Sequence, residues 1–231
     1  MQAVILAGGL GTRLRPITER IPKPMVEVGG RPFLEYIIQH LQKHDFRKVL
    51  VLLSYLGEHI QEHFGDGSRF GVDIEYSWEP SSLGTAGAIR NARDLLDAEF
   101  LVIYGDSFLP IDYRRVQECF QKAKSLGLVV AYDNKLGDTG VQNNVALDAG
   151  GYVVRYEKGT ENQELKYVEA GVLCFRKEVF DALPSGTAIS LEQQIYPQLI
   201  TQRQLRAFIT PQKFFDIGTH DRLEEFAAAH S

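Results

Sequence analysis

Four cationic side chains follow a glycine-rich turn in residues 6–24, LAGGLGTRLRPITERIPKP, and this stretch continues the apolar run AVIL. Glycines behind an apolar strand let the backbone come close to a flat or anionic ligand, and Gly8, Gly9 and Gly11 are placed to offer N–H groups to a base or phosphate. Arg13 adds a forked, permanently charged donor. Lys23 stands between Pro22 and Pro24, whose fixed φ angles limit its reach and suit a phosphate clamp better than a solvated tail. Neither familiar phosphate loop fits. Leu14 occupies the place of the third glycine of a dinucleotide fingerprint, and Gly11 is followed by Thr12 and Arg13 rather than by lysine and a hydroxyl residue. Further along, Asp106 in YGDS ends an apolar run, where an acid serves as a turn former or helix cap unless a cation gives it other work.

The elements that must carry these groups alternate in kind. AVILA from Ala3, KVLVLLS from Lys48, VDIEYS from Val72, FLVIYG from Phe100 and GLVVAY from Gly127 read as strands. Between them FLEYIIQHLQKH from Phe33, GEHIQEHF from Gly57, AGAIRNARDLL from Ala86 and residues 112–126 read as helices. Near-continuous apolar strands separated by helices imply a mostly parallel sheet covered on both faces. After Asp133 the texture changes: NNVALD, GYVVRYE and KYVEAGVLCF alternate more and are split by GG and TENQEL, which predicts antiparallel strands. Helices from Arg176 and Leu191, the strand LRAFI and a helix from Thr219 complete the pattern. The expected fold is a single α/β domain, Rossmann-like, with a mixed, mostly parallel sheet flanked by helices and a small antiparallel layer over the active site. Open sheets of this kind bind ligands at the carboxyl ends of their strands, where the glycine segment, the loop after Tyr76 and the GDS segment converge.

The totals narrow the partners. With 231 residues, 44% hydrophobic and 24% charged, the chain is an ordinary folded protein, and a net charge of −5 argues against a broad basic surface for nucleic acid. Cys119 and Cys174 form no CxxC pair, which predicts no disulfide framework and a reducing, cytoplasmic setting. The first apolar run is too short for a signal peptide or membrane span. His59 and His63 have helical spacing, but Glu58 precedes the pair and the HExxH glutamate is missing, so zinc is not expected. GDGSRFG from Gly65 reads as a turn between helix and strand.

The stretch LAGGLGTRLRPITERIPKPMVEVGGRPFLEY resembles the N-terminal signature of the sugar-1-phosphate nucleotidyltransferases, which make nucleoside-diphosphate sugars. EPSSLGTAGAI, YGDS, YEKG, EAGVLCF and FFDIGT follow in the family's order, so the resemblance spans nearly the whole chain. It implies that residues 1–132 mainly bind nucleotide and 133–231 mainly bind sugar. By resemblance Leu6, Ala7, Gly8, Gly9, Gly11, Thr12, Arg13, Glu79, Gly84 and Thr85 form the nucleotide site. Asn144, Glu157, Lys158, Glu169 and Gly171 form the sugar-phosphate site, with Glu157 on sugar hydroxyls and Lys158 on the phosphate. Asp106 and Asp216 are implied ligands of Mg²⁺, which would neutralise repulsion between two anionic substrates. Arg13, Lys23 and Asp106 are the implied catalytic set.

Glu169 stands where a common form of the sugar motif has asparagine, and a carboxylate only accepts where an amide also donates. Asn144 resembles the asparagine of a GNV-type segment, although Asn143 replaces its glycine. NNV, SLEQQIYP and the compact length are similar to bacterial guanylyltransferases for heptose or mannose 1-phosphate, in polysaccharide biosynthesis. No β-helical acyltransferase extension is expected, which would set the chain apart from the bifunctional acetylglucosamine type. A uridylyl- or cytidylyltransferase stays open, as does a monomer or homo-oligomer. A silent sugar-nucleotide-sensing subunit would need few of Arg13, Lys23, Asp106, Lys158 and Asp216 together.

Overall fold

The computed structural model describes residues 1–230. β1 (Gln2–Leu6) leads through the glycine-rich segment to a small hairpin, β2 (Glu27–Val28) and β3 (Arg31–Pro32), then to α1 (Phe33–Lys43), β4 (Lys48–Leu53), α2 (Gly57–Phe64), β5 (Asp73–Trp78), α3 (Gly84–Asn91) and β6 (Glu99–Tyr104). β7 (Ser107–Phe108), α4 (Tyr113–Ala123) and β8 (Gly127–Tyr132) follow. Then come β9 (Val145–Leu147), β10 (Val153–Tyr156), β11 (Val168–Arg176), α5 (Tyr196–Thr201), β12 (Leu205–Thr210), β13 (Phe215–Asp216) and α6 (His220–His230).

Seven strands make the central sheet in the order β12-β8-β11-β6-β1-β4-β5, with β11 antiparallel to both neighbours and the other pairs parallel. Period-two alternation sends Ala3 and Ile5, Val49 and Val51, and Leu101 and Ile103 to one core, under α1, α2, α4 and α6. Val4, Leu50, Phe100 and Val102 go to the other, under α3 and α5. Both faces are thus covered, as continuous apolar strands require. β1 and β6 run in register from Gln2↔Phe100 to Leu6↔Tyr104, so the glycine segment and the GDS turn leave the sheet side by side.

The mixed, mostly parallel sheet expected from the sequence is present, and β9 and β10 form a separate antiparallel pair. β11 departs from the expected antiparallel layer and enters the central sheet. Every one of its residues except Arg176 is buried, which demands cover on both faces. It bends at Gly171, where φ is +75°, the pairing register shifts between Glu169 and Leu173, and an added Cβ would lie 2.7 Å from Ser107 Cβ. Of the later helices, the one expected from Arg176 is a 3₁₀ turn, Lys177–Phe180, and the one from Leu191 begins as a π-helical turn, Leu191–Ile195. Asp112 caps α4 by accepting from the Arg114 N–H at 3.0 Å.

α6 matters most for the site. Phe226 is fully buried, with ring centroids 4.7 Å from Phe33, 5.7 Å from Phe108 and 5.8 Å from Phe215. The last two lie on β7 and β13, which pair antiparallel through Phe215↔Phe108 and Asp216↔Ser107. No helix among the described residues is long and apolar enough to cross a membrane. Phe226→Ala should lower stability by about 3–5 kcal/mol in chemical denaturation. A loss below about 1 kcal/mol would remove α6 from the support of this strand pair.

Candidate active site

Two clefts open at the carboxyl ends of the strands and share Tyr104 and Asp106. The first is lined by Leu6, Ala7, Gly8 and Gly9 from the end of β1, by Lys23, and by Glu79, Gly84 and Thr85 around the start of α3. The second contains Arg13, Asn144, Lys158, Glu169, Gly171 and Asp216. The nucleotide and sugar-phosphate sets named from sequence therefore separate into neighbouring cavities, with four exceptions. Gly11 and Thr12 do not line the first cleft, and Arg13 lies in the second, beside Gly218. Glu157 lines neither; its carboxylate accepts from Arg155, Thr160 and Asn162. Chain alternation explains this, since Tyr156 and Lys158 on either side of it face the second cleft.

The glycine-rich segment does not feed a helix. It runs through 3₁₀ turns at Thr12–Leu14, Ile17–Glu19 and Lys23–Met25, and the Met25 N–H bonds the Pro22 carbonyl at 2.8 Å. These turns hold Lys23 inward, 8% exposed, with Nζ 2.5 Å from Asp106 Oδ2. The other Asp106 oxygen accepts from Ser107 Oγ at 3.3 Å.

The β7–β13 pairing brings the two aspartates to one cavity, and the Ile217 N–H bonds the Asp106 carbonyl at 3.0 Å. Asp216 accepts from Arg222 Nη1 at 2.9 and 3.0 Å and from the Gly218 N–H at 2.7 Å. No group of three or more metal-ligating side chains occurs among the described residues. Two carboxylates on adjacent strand ends nevertheless suit a hard, oxygen-seeking cation that takes its remaining ligands from phosphates and water.

On the nucleotide side, Glu79 Oε2 accepts from the Leu83 N–H at 2.8 Å, ordering the turn before α3, while burial raises its pKa above the ordinary range. The glycines of LGTAG have a packing task as well, although Gly84 also lines the first cleft. A Cβ on Gly84, where φ is +67°, would lie 2.7 Å from the Ile189 carbonyl oxygen, so this glycine admits the backbone of a crossing segment. Ala86 and Gly87 N–H groups then bond that same carbonyl at 2.9 and 3.1 Å.

The crossing segment carries the group that sequence reasoning missed. Glu192, in SLEQQIYP, faces the second cleft and takes Lys158 Nζ at 2.7 Å. Beside it, Glu169 is buried beneath Tyr156 and Tyr196, with Oε2 accepting from Tyr196 OH at 3.3 Å and its N–H donating to Asn144 Oδ1 at 2.9 Å. Burial raises the Glu169 carboxyl to about 7, against the pull of the Lys158 charge.

A glycine-lined cleft at the strand ends of a mixed α/β sheet, joined by a lysine–aspartate pair to a polar cleft with its own lysine, defines a binder of two phosphorylated ligands. The Nucleotidyl transferase family model matches residues 2–231. A D-glycero-alpha-D-manno-heptose 1-phosphate guanylyltransferase of Campylobacter jejuni is 32% identical over 98% of this chain and 98% of its own length. An N-acetylmuramate alpha-1-phosphate uridylyltransferase of Neisseria meningitidis is 33% identical over 99% and 97%. A UTP–glucose-1-phosphate uridylyltransferase of Synechocystis is 30% identical over 87% of this chain, which spans 55% of that relative. The crystal structure of HddC from Yersinia pseudotuberculosis complexed with GMP-PN superposes with a TM-score of 0.83 at 27% identity, covering 100% and 99% of the two chains. The chain belongs to the nucleotidyl transferase family. The enzyme class expected from the sequence, a sugar-1-phosphate nucleotidyltransferase, is upheld.

Because folding raises the Glu169 pKa, the native state holds that proton more tightly than the unfolded chain does. Stability must fall as pH rises from the unfolded value near 4.5 to about 7. In thermal melts, the Tm of Glu169→Gln minus that of the unaltered protein should rise across this window. A difference that stays flat with pH would show that Glu169 is not held in the buried, proton-retaining state.

Proposed function

We propose that this enzyme joins the nucleotidyl group of GTP to a heptose or mannose 1-phosphate, releasing pyrophosphate. The observation that carries the reading is the junction of the two clefts at Asp106, with Lys23 bonded to it. A nucleoside triphosphate in the first cleft and a sugar 1-phosphate in the second would place the attacking oxygen next to the α-phosphate. Support for guanine and for these sugars comes from the relatives' names and from the nucleotide in the HddC complex, and the uridylyltransferase relatives keep UTP as the second reading.

The phosphate oxygen of the sugar attacks the α-phosphorus in line, so no side-chain nucleophile is required. Lys23 steadies the α-phosphate region, Lys158 holds the sugar phosphate, and Arg13, exposed and without an ion-pair partner among the described residues, takes the leaving pyrophosphate. Mg²⁺ held by Asp106 and Asp216 would supply charge neutralisation between the two anionic substrates. The base, meanwhile, meets a cleft wall rich in backbone at residues 6–9.

Pyrophosphate release with Mg²⁺ is the direct test, from GTP, UTP, CTP, ATP and dTTP each paired with mannose, heptose and glucose 1-phosphates. GTP with mannose or heptose 1-phosphate should turn over, and chelation of the cation should stop it. Exclusive turnover with UTP would move the assignment to the second reading. Asp106→Asn should fold yet lose about 100-fold or more in kcat; unaltered turnover would remove Asp106 from the catalytic junction.

A further inference from the structure

Glu192 is bonded from both clefts. Oε1 accepts from Lys158 Nζ at 2.7 Å and from Tyr104 OH at 3.3 Å, while Oε2 accepts from Thr85 Oγ1 at 3.2 Å and Ser190 Oγ at 2.8 Å. Thr85 lines the first cleft, Lys158 the second, and Tyr104 both. We propose that Glu192 is a positioning residue that fixes the Lys158 ammonium for the sugar phosphate and takes its own place from Thr85 on the nucleotide loop. This rests on the reading of Lys158 as the phosphate-binding group.

The argument is one of freedom and charge. Lys158 is a long, flexible side chain, 57% exposed, whereas Glu192 is 16% exposed and anchored, besides Lys158, by Tyr104 and Thr85 from two other segments and by its own neighbour Ser190. An ammonium carries three N–H donors, so the bond to Glu192 uses one and leaves two for the arriving phosphate. The loss of side-chain freedom is thereby incurred in the folded protein rather than at binding. Glu192 stays ionised because the charge and hydrogen bond of Lys158 outweigh the burial that opposes them. Lys158 stays protonated in turn: burial opposes its charge, but the neighbouring carboxylates, Glu192 bonded to it among them, more than offset this. Thr85 reinforces the link, since its hydroxyl oxygen also accepts from the Leu191 N–H at 2.8 Å. The glutamate lies on a π-helical turn, an irregularity that is often found at functional sites.

The experiment is a double-mutant cycle on pyrophosphate release, with the supporting substrate pair identified first on the unaltered enzyme and nucleotide kept saturating. Lys158→Met should raise the KM for sugar 1-phosphate by about tenfold or more. Glu192→Gln should raise the same KM by about tenfold while the nucleotide KM changes by less than about twofold. The double variant should be no worse than Lys158→Met alone, because Glu192 acts through the lysine. Should Glu192→Gln fail to fold, Thr85→Val carries the same test, and it should raise the sugar 1-phosphate KM although Thr85 lies in the other cleft. Additive losses in the double variant, an effect confined to kcat or to nucleotide KM, or an unchanged sugar KM in Thr85→Val would overturn the proposal. A wild-type enzyme silent with every pair would instead overturn the reading on which it rests.

Discussion

The ion pair between Lys23 and Asp106 is the constraint to which the rest of the site conforms. A buried ammonium is tolerated only with an anion beside it, and the carboxylate that meets it stands 83 residues further along the chain. The pair therefore pulls the segment after β1 down over the end of β6. Proline on both sides of Lys23 and the 3₁₀ turn that contains it fix the approach. The clefts that flank Asp106 are separate in lining but share this one acidic corner, which makes it the point at which two anionic ligands could be brought together.

A second layer of support comes from the opposite end of the sequence. β13 lies against β7, one residue beyond Asp106, and Arg222 on α6 braces Asp216. Phe226 on the same helix packs on both strands of the pair. Thus a C-terminal helix with a modest apolar face sets the relative position of the two carboxylates. β11 contributes differently, since its bend at Gly171 leaves room for Ser107 to sit against the strand.

Much of this was legible in residue patterns. Continuous apolar runs announced the sheet, and the strand-end placement of LAGGLG and GDS announced the edge at which the two clefts open. What was not legible depended on contacts between distant segments. Pattern alone made β11 part of an antiparallel layer, whereas its burial on both faces seats it between β6 and β8. The glycines of LGTAG read as ligand contacts, and Gly84 does line the first cleft, but pattern did not show that Gly84 and Gly87 also make way for the backbone at residues 187–189. Glu157 was carried over from the family motif as a sugar contact, and here it lines neither cleft, its carboxylate being taken by Arg155, Thr160 and Asn162. The signal that could have found Glu192 was an acid opening SLEQQIYP directly after a helix-capping serine, but only the fold shows that it reaches Lys158 and Thr85.

The Lys23–Asp106 pair stands at the junction with the hydroxyls of Tyr104 and Ser107 beside it, and a transfer from one bound ligand to the other asks none of these side chains to act as a nucleophile. The account therefore rests on direct transfer between two bound ligands, with catalysis by placement and charge. The stereochemical course at the α-phosphorus tests this most directly, using a nucleotide made chiral there by sulfur substitution. Direct transfer predicts a single inversion of configuration in the sugar nucleotide formed. Retention would mean two displacements through a covalent link to the protein, and would contradict the account.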